Sequence, residues 1–187
     1  MVFSSLIFLF LFLPACLILY FLAPGLKVKN IVLLVFSLVF YAWGEPFYVL
    51  LLIASAAMNY GAGRWMGARR ARGRSLKPVL VGAVALNLLA LGVFKYAGLL
   101  VSTFNQLTGL GLAVPNIALP IGISFYTFQA MSYVVDVYRN QVGVQRSYLK
   151  FLLYISLFPQ LIAGPIVRYS DVDAQLEDRH ATREDMF

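Results

Sequence analysis

Residues 79–104 read VLVGAVALNLLALGVFKYAGLLVSTF, 26 residues with one charge, Lys95. A helix needs roughly 17 or more mostly apolar residues to cross the hydrocarbon core of a bilayer, and this stretch meets that need by length and composition. On its N-terminal side, residues 67–78 carry Arg69, Arg70, Arg72, Arg74 and Lys77; on its C-terminal side, the Gly-rich turn 109–115 carries no charge. Further apolar runs predict helices over 5–22, 30–43, 46–66 and 119–138, and a sixth, broken element over 147–165. The run 30–43 is short for a span and needs Tyr41 and Trp43 as interfacial extension. Pro46 suits the first turn of the third helix, where its missing N–H costs nothing.

The composition agrees. Of 187 residues, 61% are hydrophobic and only 12% charged, with a mean hydropathy of +0.81. Soluble domains carry roughly twice that share of charge, and one of this size still exposes much of its surface to water. The fold class expected is therefore all-α: a polytopic transmembrane helical protein with five to six membrane helices, one of them broken or re-entrant. The chain divides into a membrane helical domain over 1–165 and a charged, cytoplasmic-side segment over 166–187.

Charge placement sets the orientation. Residues 1–165 hold twelve Lys/Arg against Glu45 and Asp136, whereas 166–187 hold three Arg against six Asp/Glu. With the N-terminus outside, the cytoplasm receives the loops 23–30, 64–78 and 139–147, with Lys27, Lys29, Arg64, the 69–77 cluster, Arg139 and Arg146. The outer loops then hold Glu45 and the uncharged stretch 105–117, as the positive-inside rule requires. That rule already explains the pI of 9.7, so nucleic-acid binding is not inferred. The single cysteine, Cys16, excludes a disulfide framework and reads as a packed thiol. The first apolar run lacks a basic n-region and an A-x-A site, so it is read as a retained helix rather than a signal peptide.

The sixth element is the least regular. Residues 147–158 form about 18 Å of helix, too short for a core of roughly 30 Å. Pro159 kinks the chain beyond it, and Gly164-Pro165 breaks it again. Broken helices at membrane depth are tolerated where protein or a water-filled cavity satisfies the backbone. Re-entry is the preferred reading, and it places 166–187 in the cytoplasm.

Polar residues inside the apolar runs are the candidates for chemistry. Gln129, Ser132, Asp136 and Arg139 share one stripe of the fifth helix, which should face the bundle interior or a cavity. Asp136 reads either as a proton-handling or substrate-orienting carboxylate, or as the partner of Arg139 one turn away. Lys95 either lines a hydrophilic lumen or snorkels to the outer headgroups beside Tyr96. Asn59 and Asn87 read as interhelical hydrogen-bond partners. The basic loop 69–77 reads as a topology determinant that can also meet anionic lipid. Residues 166–187 form either an interfacial amphipathic helix or a solvated loop. No Ser/His/Asp arrangement, HExxH, P-loop or Cys/His metal spacing occurs, and the one histidine, His180, lies among charges. Asp136, Lys95 and the broken helices also leave open a transporter or channel subunit; a scaffold that recruits other proteins is a third reading.

Several stretches together resemble one family. They are Met1-Val2-Phe3-Ser4-Ser5, Phe40-Tyr41-Ala42-Trp43, Phe94-Lys95-Tyr96, Leu119-Pro120-Ile121-Gly122-Ile123-Ser124-Phe125-Tyr126-Thr127-Phe128-Gln129 with Asp136-Val137-Tyr138-Arg139, and Phe158-Pro159-Gln160-Leu161-Ile162-Ala163-Gly164-Pro165-Ile166-Val167-Arg168. The two long motifs are the specific ones. The chain resembles the N-terminal part of a membrane-bound O-acyltransferase, in the alginate O-acetyltransferase-like subgroup. That resemblance implies a helix ring around a thinned centre in the bacterial inner membrane. It implies transfer of an acyl group, usually acetyl, to hydroxyls of an exported polysaccharide such as alginate. The donor would be acyl-CoA or another acyl thioester used as substrate, with no bound cofactor or metal, and periplasmic polysaccharide-modifying proteins would be partners. The family's essential histidine falls beyond residue 187, so the catalytic residue of this chain is unknown and the chain alone is expected to be inactive. Lys95, Gln129, Ser132, Asp136 and Gln160 are cavity-lining candidates, and Arg168 is a candidate for the donor's phosphates.

Overall fold

The computed structural model describes residues 5–115, 117–163 and 167–172, with backbone only at 162 and 163. The described elements are all helical. A π-helical turn (Phe8–Phe12) runs into α1 (Leu13–Leu22), followed by α2 (Gly25–Gly44), α3 (Tyr48–Ala71), α4 (Lys77–Thr108), α5 (Ile123–Tyr138), α6 (Tyr148–Ser156) and α7 (Phe158–Ala163). Two of them, α2 and α4, are long and apolar enough to cross a membrane, and Phe8–Leu22 is a shorter apolar helix.

Several boundaries move outward from the sequence expectation. Pro24 is extended and Gly25 takes φ +75°, so the chain turns there and α2 begins at once. Its 20 residues reach about 30 Å, which removes the apparent shortness of 30–43. Likewise α3 continues to Ala71, carrying Arg69 and Arg70 in its last turn, where cations favour the helix dipole. Gly109, left-handed at φ +70°, ends α4 by donating its N–H to the Asn105 carbonyl at 2.8 Å, as left-handed caps do.

Burial shows what each helix packs against. In α4 the buried residues are Val79, Ala83, Asn87 and Leu91, a single row at i, i+4 spacing. Val81, Leu86, Leu88, Leu89, Leu99 and Leu100 are exposed around the same helix. A helix apolar on all sides but buried along one row is suited to a hydrocarbon solvent. By contrast α5 buries nine residues, from Ile123 to Val137, because α3, α4 and α6 all pack on it. In α6 every residue from Phe151 to Ser156 is buried. Nine residues make about 14 Å of helix, so α6 is a short segment enclosed by α2, α3, α5 and α7.

The break after α6 falls at Leu157, whose ψ is 111°. Pro159 occupies the first turn of α7, where its missing N–H is harmless, instead of kinking a continuous helix. The Phe158 N–H finds the buried Ser37 hydroxyl of α2 at 3.4 Å. Its ring joins Phe8, Phe12 and Phe40 in an aromatic cluster with centroids 5.5–6.1 Å apart, tying the N-terminal helix, α2 and α7 together.

The segment before α5 is held by tyrosines. Tyr41 Oη donates to the Ile121 carbonyl (2.9 Å) and Tyr48 Oη to that of Ala118 (2.8 Å). Gly122 is left-handed, φ +76°, and a β-carbon there would lie 3.2 Å from the Leu161 carbonyl of α7. The Leu119-Pro120-Ile121-Gly122 motif is therefore a turn that needs glycine both for its dihedral and for the approach of α7. The break at Gly164-Pro165, most of 166–187 and His180 lie outside the described residues.

Candidate functional site

The polar stripe of α5 turns inward against α6. Gln129 is 2% exposed, and its Nε2 donates to the main-chain carbonyl of Tyr154 at 2.8 Å. That carbonyl belongs to the last turn of α6, where helical acceptors lack intrahelical partners. Ser132 Oγ donates back to the Gln129 carbonyl at 2.8 Å, a local bond open to serine within helices. The Tyr154 hydroxyl donates to the Val167 carbonyl at 2.9 Å.

Asp136 differs from the other two. It is 6% exposed, and its Oδ2 is buried without a hydrogen-bond partner. Arg139 is exposed and makes no ion pair with it. A buried carboxylate oxygen without a donor is costly, so among the described residues this atom is an acceptor whose capacity is unmet. Further buried polar atoms without a hydrogen-bond partner among the described residues include Tyr126 Oη on α5, Ser156 Oγ at the end of α6 and Gln160 Nε2 on α7. With Asp136 Oδ2, four such atoms lie on α5, α6 and α7, and α5 and α7 carry parts of the two long sequence motifs.

The other candidates lie apart. Lys95 is exposed on the C-terminal half of α4, with its ammonium 5.5 Å from the Tyr96 ring centroid. Arg168 is exposed, between Val167, which accepts the Tyr154 hydroxyl, and the fully buried Tyr169.

Three features of the surroundings escaped the sequence reading. Gln145 donates its backbone N–H to Tyr133 Oη (3.1 Å) and its Nε2 to Tyr169 Oη (2.6 Å), while its Oε1 accepts the Ser147 N–H (2.8 Å). Tyr169 packs edge-on to Tyr133 and Tyr154, at 4.9 and 5.2 Å, which fixes residues 167–172 against α5 and α6. Arg70 spans from α3 to the end of α5, donating to the carbonyls of Val137 (2.6 Å) and Tyr138 (3.2 Å) and to Asn140 Oδ1 (2.8 Å). Asn140 stands there at φ 60°, so the α5 C-terminus two residues past Asp136 is capped from another helix. The only sequence signal for these contacts was the concentration of polar residues in 139–147.

Asn59 and Asn87 are as expected. Their side chains exchange hydrogen bonds at 3.0 and 2.8 Å between α3 and α4, and both are buried.

No protein-family model and no solved structure matches the chain. Curated proteins do. The chain is 42% identical over 186 residues to a Pseudomonas aeruginosa protein named "Probable alginate O-acetylase AlgI", across 97% of this chain and 36% of that protein. It is equally similar, at 42%, to the Azotobacter vinelandii protein of the same name, covering 37% of it. A Helicobacter pylori "Peptidoglycan O-acetyltransferase" is 28% identical across 96% of the chain and 39% of that protein. The chain spans a little over a third of the length of the curated relatives it matches.

Proposed function

We propose that this chain, a relative of the alginate O-acetylases over nearly its whole length, is the N-terminal part of a membrane-bound O-acyltransferase. It would transfer an acyl group, most simply acetyl, to hydroxyls of an exported polysaccharide such as alginate. The observation that carries this reading is the identity of about 40% to several proteins named for alginate O-acetylation, across 97% of the chain. The unpartnered Asp136 Oδ2 on the motif-bearing helix supports it.

In this reading the bundle crosses the bacterial inner membrane five to six times with the N-terminus periplasmic. The enclosed α6 and the short α7 form a re-entrant element that thins the protein at its centre. The exposed apolar surface of α1, α2 and α4 is consistent with lipid around it. The acyl donor is a thioester, and the base that deprotonates the acceptor hydroxyl comes from a part of the enzyme outside this chain. Asp136 holds or orients the proton-carrying group that enters beside it. Gln129 keeps α5 seated on α6 around that position, with Ser132 on the same face, Gln160 offers a hydrogen-bond donor, and Arg168 meets the phosphates of the acyl donor. Lys95 belongs to the rim of the cavity. Periplasmic polysaccharide-modifying proteins receive or pass on the acyl group.

The test is direct. Membranes carrying the full-length protein and its periplasmic partners are supplied with acetyl-labelled acetyl-CoA and de-acetylated alginate. Ester-linked label in the polysaccharide, absent from membranes without the protein, is the expected result. No label above that background would refute the reading.

A further inference from the structure

The loop between α5 and α6 is held at successive residues by other helices. Tyr133 Oη of α5 accepts the Gln145 N–H at 3.1 Å. Tyr60 Oη of α3 donates to the Arg146 carbonyl at 2.7 Å. The Ser147 side chain caps α6 by accepting the Lys150 N–H, and the Tyr148 hydroxyl donates to the Ile53 carbonyl of α3 at 3.0 Å. Residues 145–148 are thus a fixed platform, and Gln145 at its start is 6% exposed. The Gln145 amide is used at both ends. Its Oε1 accepts the Ser147 N–H at 2.8 Å, and its Nε2 donates to Tyr169 Oη at 2.6 Å. The first bond is local; the second reaches 24 residues along the chain, to the segment beyond α7.

That segment, 167–172, is tied at two neighbouring points. The Tyr154 hydroxyl donates to the Val167 carbonyl at 2.9 Å. The fully buried Tyr169 ring meets Tyr133 and Tyr154 edge-on. Arg168 sits between these points and is exposed, so its main chain is fixed on both sides while its guanidinium reaches outward. A long side chain on a preset backbone loses less freedom when it closes on a ligand. The planar fork of a guanidinium also needs a set direction of approach. Asp171 is exposed, and its Oδ1 accepts the Ser170 hydroxyl at 3.0 Å; the other five Asp/Glu of 166–187 lie outside the described residues.

We infer that Gln145 is a positioning residue for the acyl donor: through Tyr169 it sets the main chain from which Arg168 meets the donor's phosphates. Ring packing keeps Tyr169 within the bundle, and the hydrogen bond adds direction, since such bonds weaken steeply off their axis. Gln145 acts without touching the donor. The inference rests on the proposed donor contact of Arg168, and on geometry rather than on net charge.

Labelled acetyl transfer by the full-length protein in membranes, with acetyl-CoA varied, separates the outcomes. Gln145→Leu keeps the volume and removes both amide ends; Tyr169→Phe keeps the packed ring and removes only the hydroxyl. Each should raise the apparent KM for acetyl-CoA by about three- to fivefold with kcat within about twofold. Neither should raise it further when combined with Arg168→Ala, because a residue that acts through Arg168 then has nothing left to position. A wild-type KM in both single variants, with that of Arg168→Ala raised, would overturn the inference and leave the donor contact standing. So would a fall in kcat at unchanged KM, or a KM effect that multiplies with that of Arg168→Ala, as general loosening of the fold would give. An unchanged KM in Arg168→Ala, the result if its guanidinium pairs with an acid of 166–187, would refute the donor contact and the inference with it.

Discussion

A β-carbon at Gly63 of α3 would stand 2.5 Å from the hydroxyl oxygen of Tyr133 on α5 and 2.7 Å from its Cε1. The absence of a side chain at 63 thus lets the Tyr133 ring lie between α3 and α6, where it packs against the tilted ring of Phe151 at 4.6 Å and its hydroxyl accepts the Gln145 N–H. Small residues at helix contacts let membrane helices approach closely. Gly63→Ala should destabilise the protein by about 1–3 kcal/mol through overpacking, read as a lowered Tm in detergent. Tyr133→Phe combined with Gly63→Ala should cost less than the sum of the single changes, because the hydroxyl contact is removed once. An unchanged Tm in Gly63→Ala would show that α3 and α5 separate freely.

Arg70 caps α5 through three acceptors. Arg70→Lys cannot reproduce the fork, since lysine carries a point charge in place of a planar, five-donor group. Loss of about 1–3 kcal/mol is expected at this site, with faster hydrogen exchange confined to residues 137–141. Exchange identical to wild type would refute the capping role.

The Asn59–Asn87 pair makes a reciprocal prediction. Asn87→Leu alone leaves a buried amide without its partner, whereas Asn59→Leu with Asn87→Leu removes both. A double-mutant cycle should give a coupling of about 0.5–1.5 kcal/mol between them, the range for hydrogen bonds between membrane helices. Additive effects would mean that the pair does not join α3 to α4.

The sequence carried the helices further than it carried their contacts. The 79–104 run announced α4 by length and lack of charge, and the amide pair was legible because asparagine is rare in such surroundings. Pro159 marked a break near 157–159, though it opens α7 rather than bending α6. Partners chosen by tertiary packing could not be read. Helical period brings Gln129, Ser132 and Asp136 to one face, yet it does not reveal that Gln129 and Ser132 donate to main-chain carbonyls while Asp136 keeps an open oxygen. Nor does a run of arginines after Met66 disclose that one of them, Arg70, reaches the end of a helix almost seventy residues later.

Arg168 is exposed next to the anchored Tyr169, a position from which a guanidinium can meet a phosphate in solution. In the full-length protein, Arg168→Ala should raise the apparent KM for the acetyl-CoA donor by about five- to tenfold, the equivalent of roughly 1–1.4 kcal/mol, with kcat little changed. Unchanged donor kinetics would remove Arg168 from the donor site.

The central claim is tested most directly by the acetyl-ester content of the exported polysaccharide. It would be measured by NMR in cells whose own copy of the gene is deleted and replaced by wild type or by Asp136→Asn. The wild type should restore the esters. Asp136→Asn, which keeps shape and removes the charge, should lower them by at least about tenfold if the carboxylate serves proton transfer, with the protein present in the membrane at normal abundance. Ester content unaffected by deletion would contradict the assignment to polysaccharide O-acetylation, and full restoration by Asp136→Asn would contradict a role for the buried carboxylate.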